Sequence, residues 1–212
     1  MMKNKYVAFF LFLTMMGIFP ISSCVDQCDG PCGCYPVFEN PDFTISAFSV
    51  ENLYRADNNF IVDPNRYYFH QTLYKAFWVS GLREIANNSP STSGSFFSNM
   101  AFACSPPESF STETLKSIRI INKKRVQINQ QEILEIGQQI NDYFNLTLTF
   151  QVEYSIDDFL KRNHKFLKDE RLYLKFNSPP NDNIEIMFDI EIELDNDKTF
   201  VFNNETMKVN GG

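Results

Sequence analysis

A chain of 212 residues, 43% hydrophobic and 21% charged, is long enough for one domain with a full hydrophobic core and too apolar to be disordered. Its formal charge of -7 excludes nucleic acid as a partner, because phosphate binding needs a basic footprint, and disfavours direct adhesion to anionic lipid head groups. The balance of 22 Phe against 8 Gly suits β structure, where flat side chains pack across a pleated face.

At the N-terminus, Lys3 and Lys5 precede an apolar run from Tyr6 to Ile18 closed by Pro20. This is the charged n-region and hydrophobic h-region of a secretory signal, too short to span a bilayer comfortably. Ile21-Ser22-Ser23-Cys24 then resembles the bacterial lipobox, an aliphatic residue, two small residues and cysteine. The resemblance implies that Cys24 receives a diacylglyceryl thioether, that the bond after Ser23 is cut, and that the new amine is acylated. Loss of residues 1–23 removes Lys3 and Lys5 and no acid, so the mature charge becomes more negative. Each buried methylene contributes about 0.8 kcal/mol, and two or three acyl chains make attachment effectively permanent. Val25 stands where Asp would resemble an inner-membrane retention signal, which favours the outer membrane. Asp26 and Asp29 resemble the acidic stretch that sends some Bacteroidetes lipoproteins to the cell surface, with Gln27 and Cys28 interrupting it.

Residues 24–41 read as a Cys-rich tether and 42–212 as the folded domain. Apart from Cys24, the cysteines are Cys28, Cys32, Cys34 and Cys104, an even number in an oxidising compartment, which points to two disulfides. Closing Cys32 to Cys34 across one residue strains the chain, so Cys104 is expected to join Cys32 or Cys34. That bond closes a loop of about 70 residues and contributes roughly 4 kcal/mol in the chain-entropy model. The Cys28-x3-Cys32-x-Cys34 spacing fits neither common zinc pattern, so no metal is expected there. Asp29-Gly30-Pro31 and Gly33 are turn formers that compact the segment.

Further along, Phe43 to Tyr54 reads as a strand whose alternation slips near Ala47-Phe48, as a bulge would make it. Tyr68 to Leu82, Ser98 to Cys104 and Lys116 to Ile121 read as further strands, with an exposed loop over Asn87 to Ser95. Ile133, Ile136, Ile140 and Phe144 recur at helical spacing across Gly137. Ser155-Ile156-Asp157-Asp158 resembles a capping box opening a short helix that carries Phe159, Leu160 and Phe166 on one side. Arg171 to Phe176 is a strand ending before Pro179-Pro180. From Ile184 to Leu194 apolar residues alternate strictly with Glu185, Met187, Asp189, Glu191 and Glu193, one face core and the other water. Asp195-Asn196-Asp197 turns the chain into Thr199 to Phe202, and Thr206 to Val209 is one more strand.

Eight or so strands, one or two short helices and no βαβ alternation predict a mainly β protein, an antiparallel β-sandwich of immunoglobulin-like kind. The chain resembles a group of Bacteroidetes lipoproteins known only as domains of unknown function. The resemblance rests on Cys104 before Ser117-Ile118-Arg119-Ile120, on Gly137-x3-Asn141-Asp142-x-Phe144, on Ser155-Ile156-Asp157-Asp158-Phe159-Leu160, and on Pro179-Pro180 before the terminal hairpin. It implies a Bacteroidetes source and a sandwich fold, and brings no activity and no site residues.

The chemistry-bearing residues are few. His70 and His164 are the two histidines, and both read as surface residues. No GxSxG, HExxH, GxGxxG or Walker-type loop occurs, so no cofactor is implied. The frame Asp195, Asp197, Thr199, Asn203, Thr206 has Phe200 and Thr206 where a calcium loop needs Gly and Glu, and reads as a hairpin turn. Carboxylates two apart on one strand face lie about 7 Å from each other, so Glu185, Asp189, Glu191 and Glu193 have glycosidase spacing. An acidic solvent face is also what guards a strand against edge-to-edge pairing, and that is the expected role of these acids. Phe96-Phe97 and Trp78, near Tyr74 and Phe77, offer an aromatic patch for sugar or peptide, although core packing is the first expectation for Trp78. The expected function is a lipid-anchored, non-enzymatic binding or structural module of the outer membrane or cell surface with a glycan or protein ligand. The alternative is a glycan-directed envelope hydrolase using carboxylates.

Overall fold

The computed structural model describes residues 42–56, 59–61, 63, 65–85 and 108–211. Cys24, Cys28, Cys32, Cys34 and Cys104, the leader and tether, Phe96-Phe97 and the Ser98 to Cys104 strand lie outside the described residues. Along the chain come β1 (Phe43–Ala56), β2 (Asn59–Ile61), β3 (Tyr68–Phe69), β4 (Leu73–Glu84), β5 (Phe110–Asn122), β6 (Val126–Gln127) and β7 (Ile133–Leu134). After them come β8 (Phe144–Thr147), β9 (Glu153–Ser155), helix α1 (Ile156–Leu160), β10 (Lys165–Leu167), β11 (Arg171–Phe176), β12 (Ile184–Leu194) and β13 (Thr199–Asn210). None of the described helices is long and apolar enough to cross a membrane.

The protein is mainly β. Eleven strands join in the order β3-β13-β12-β5-β1-β4-β11-β8-β9, with β10 on β5 and β2 on β1. The sheet is mixed rather than wholly antiparallel: β3 runs parallel to β13, and β1 meets β5 in parallel at Phe43 and Ser111. The second junction is short because β1 is bulged just beyond it, with register shifts on both sides of Ala47. Glu113, 4% exposed, takes the place of a ladder partner there by accepting from Ile45 N at 3.2 Å. The bulge near Ala47-Phe48 thus matches the slip in the sequence pattern.

β12 follows its alternation throughout. Ile186, Phe188, Ile190, Ile192 and Leu194 are fully buried, each contributing roughly 1.5–3 kcal/mol, while the intervening side chains stay partly exposed. Rings from distant parts of the order meet in one core: Phe144 of β8 lies 5.4 Å from Phe188 of β12, and Phe48 of β1 lies 5.0 Å from Phe200 of β13. Between them Lys75, 2% exposed, reaches from β4 to Glu205 Oε2 at 2.8 Å and to the Thr206 carbonyl at 3.2 Å. Burial pushes its pKa down, and the Glu205 carboxylate works against that shift.

In four places the elements or their surroundings depart from the sequence pattern. The helix over Ile133 to Phe144 does not form. Asn129 Oδ1 closes a turn on the amides of Gln131 and Glu132, and Gly137 takes φ 82° and donates to the Asn122 carbonyl. Ile133 falls in the β6–β7 hairpin, and Asn141 binds Ile120 N and the Ile118 carbonyl of β5 side-on. Next, Tyr68 to Leu82 is two strands, broken where Thr72 N bonds back to the Phe69 carbonyl. Thr199 to Phe202 and Thr206 to Val209 are instead one strand, interrupted by a bulge at Asn204, whose φ is 57°. Finally, β12 lies between β5 and β13, so its acids guard no free edge. The Ser155 cap does form: its Oγ accepts from Asp158 N at 3.1 Å and donates to the Asp158 carboxylate.

Candidate functional site

The acids of β12 have the spacing of paired catalytic carboxylates. Each meets a cation from β5 or the residues after it: Glu185 with Lys124, Asp189 with Lys123, Glu191 with Arg119, and Glu193 with Lys116, all within 3.0 Å. Burial works to raise the Asp189 pKa, but the Asn204 amide and Lys123 hold it below its ordinary value. Hydrogen bonds from Lys116 and Ser117 lower that of Glu193. Four paired carboxylates are a ladder of ion pairs across two strands. The Asp195 and Asp197 turn is likewise committed, Asp195 to Thr114 and Asp197 to Lys116.

The other outward face of the sheet differs. On β4 the side chains of Leu73, Lys75, Phe77 and Val79 enter the core, so Tyr74, Ala76 and Trp78 point the opposite way. β11 sets Lys175, Tyr173 and Arg171 opposite Tyr74, Ala76 and Trp78 in turn. Trp78 therefore lies outside the core, contrary to expectation, with the Arg171 guanidinium 4.4 Å above its ring. Glu51, facing Ala76 from β1, pairs with Arg171 Nη1. Burial raises the pKa of Tyr173, with Arg171 opposing and Glu51 reinforcing the shift.

A loop closes over part of this face. Thr147 Oγ1 donates to the Val152 carbonyl at 2.7 Å and accepts from Phe150 N at 3.0 Å, which fixes the β8–β9 turn. Phe150 takes φ 62°, a conformation costly for an aromatic residue, and its ring lies 4.3 Å from Tyr173 and 5.0 Å from Tyr74. The Arg55 guanidinium covers it at 4.8 Å.

Beside that loop lies a cleft of about 660 Å³, bounded by Leu148, Tyr173, Arg171 and the Leu167 to Glu170 turn. Glu108, Asp169 and Glu170 bring carboxylates to its rim, and Lys168 a cation. A second cleft of about 510 Å³ shares Leu148, Leu167 and Glu170 and adds Phe110, Arg162 and His164. Expected at the surface, His164 is instead only 16% exposed, because its ring is held between Phe159 and Phe166 and its Nε2 bonds Glu170 Oε2 at 2.8 Å. His70 lies in the turn after β3, its pKa pushed down by burial and then by Lys175.

The sequence marks Trp78 and His164 only as the lone tryptophan and one of two histidines, and does not show what they face. Arg171 and Tyr173 were marked only by alternating with Leu172 and Leu174, and nothing local connected them to Trp78 or Glu51. Comparison with protein-family models, with curated proteins and with solved structures finds nothing that matches this chain.

Proposed function

We propose that this protein is a lipid-anchored lipoprotein of the outer membrane or cell surface whose domain is a non-enzymatic binding module. The domain is an immunoglobulin-like β-sandwich, and its glycan or protein ligand sits in the cleft beside Arg171. The lipobox-like Ile21-Ser22-Ser23-Cys24 supports the anchor, with Cys24 as the acylated residue. In favour of the sandwich, Phe144 meets Phe188 and Phe48 meets Phe200 across one shared core. The observation that carries the binding reading is the Arg171 guanidinium, stacked on Trp78, tied to Glu51 and still 40% exposed at the rim of a partly apolar cleft. A planar donor fixed in this way binds at little entropic cost.

The test is a glycan and peptide array probed with the full chain in mild detergent, beside Arg171→Ala. Binding that weakens tenfold or more in the variant supports the reading, and an array without binding, or equal binding by both proteins, overturns it. Labelled palmitate should tag wild-type cells and not Cys24→Ala; an unlabelled wild type removes the anchor. Glu108, Asp169 and Glu170 at the same cleft favour a second reading, a glycan-directed hydrolase. Turnover that Asp169→Asn abolishes puts that reading first.

A further inference from the structure

The sheet differs on its two sides in how much strand edge it leaves unpaired among the described residues. β9 has three residues and begins with Glu153, which pairs with Lys175. β13 has twelve, and apart from its ladder with β12 only Val209 and Asn210 pair with another described strand, β3. From Thr199 to Asn203 this edge reads Thr-Phe-Val-Phe-Asn, with no charge and no proline, the usual protections of an exposed edge. Val201 is 49% exposed on the outward face, while Phe200 and Phe202 pack against the core and remain partly exposed.

We propose that this edge is an interface between two copies of this chain, paired antiparallel about a two-fold axis through Val201. The segment is nearly palindromic about that residue. Phe200 then lies opposite Phe202 of the partner subunit, and Thr199 opposite Asn203 of the partner subunit, so one patch serves both copies. The bulge sets the register. Asn204, held at φ 57° by its amide bond to Asp189, ends the regular edge, and an axis at Phe202 would run the new ladder across that break.

Charge supports the same register. The extra residue at the bulge returns Glu205 to the inward face: Ile190 pairs with Phe202, and Phe188, two residues before Ile190, pairs with Glu205, three residues after Phe202. Lys198 also points inward, to the Ile45 carbonyl at 3.0 Å, and is 49% exposed. Pairing through Val201 therefore brings Lys198 of each copy beside Glu205 of the partner subunit, opposite charges at both ends of an uncharged centre. Such a pair also covers the exposed margins of Phe200 and Phe202.

Sedimentation equilibrium of the full chain in mild detergent, over a range of concentrations, should give the mass of two chains. Val201→Lys, a change at an outward position that should leave the far-UV circular dichroism of the folded chain unaltered, should give one. Val201→Cys should form a covalent dimer on mild oxidation, and neither wild type nor Lys208→Cys should do so under the same conditions. A wild type of single-chain mass at every concentration overturns the proposal, as does a dimer that survives Val201→Lys or a Val201→Cys that does not cross-link.

Discussion

On the outward face of β12 every carboxylate meets a cation from β5 or the residues just after it, whereas on the outward face of β4 and β11 the partners are rings, with Arg171 over Trp78 and Phe150 over Tyr74 and Tyr173. The first face is solvated and self-neutralising, and exposed pairs of that kind are worth little individually. The second removes aromatic surface from water and spends backbone strain at Phe150 to do so. Strain of this sort persists only where the surroundings over-determine it. The face that looked chemical in the sequence is therefore the quieter one, and the cleft lies beside the other.

The contrast breaks first at Phe150. Phe150→Ala should lower stability by about 2–3 kcal/mol in urea unfolding, through loss of both ring contacts and the Arg55 contact. Phe150→Gly loses the same ring yet relieves the positive φ, and should be about 1 kcal/mol less damaging than Ala. A loss within the range of ordinary surface changes would mean that the loop does not clamp this face.

Double-mutant cycles sharpen it further. Glu51 with Arg171 and Glu191 with Arg119 are both partly exposed ion pairs. Stacking on Trp78 restricts the Arg171 guanidinium before it meets Glu51, so less entropy is lost in pairing. The expected coupling is about 1 kcal/mol for the stacked pair and about 0.3 kcal/mol for the other, the latter vanishing in molar salt. Equal couplings would remove Trp78 as an organiser of the site.

How far these faces were legible depends on how local their causes are. The alternation of β12 and the Ser155 cap declare themselves within a few residues, and both form as read. The cations that neutralise β12 lie on or just after β5, a distant stretch of the chain, and no local pattern connects the two. On β4 the sequence misleads. Because Lys75 occupies an inward position, the alternation of β4 does not mark Leu73, Phe77 and Val79 as its core set, and nothing local places Trp78 outside. The helical spacing of Ile133 to Phe144 fails for a related reason: Gly137 and Asn141 commit their backbone and side chain to β5, and propensity yields to those bonds.

The smallest effect separates the two faces by pH. Asp189 is held below its ordinary pKa against burial by the Asn204 amide and Lys123, so its contribution is present at neutral pH and is lost as acid protonates the folded carboxylate. Tyr173 and Tyr74 are shifted the other way, upward, with burial the leading cause in both. A raised tyrosine pKa means that the fold prefers the neutral phenol, so that stability is intact below the unfolded value and declines as alkali ionises the unfolded chain first. Urea midpoints taken from pH 2 to pH 11 should therefore fall at both ends for separate reasons. Asp189→Asn should flatten the acid limb alone, because the amide cannot titrate, and Tyr173→Phe should flatten the alkaline limb alone. If Asp189→Asn leaves the acid limb as steep as in wild type, the ladder contributes nothing through this carboxylate; if Tyr173→Phe leaves the alkaline limb unchanged, the phenol under Phe150 is not desolvated in solution.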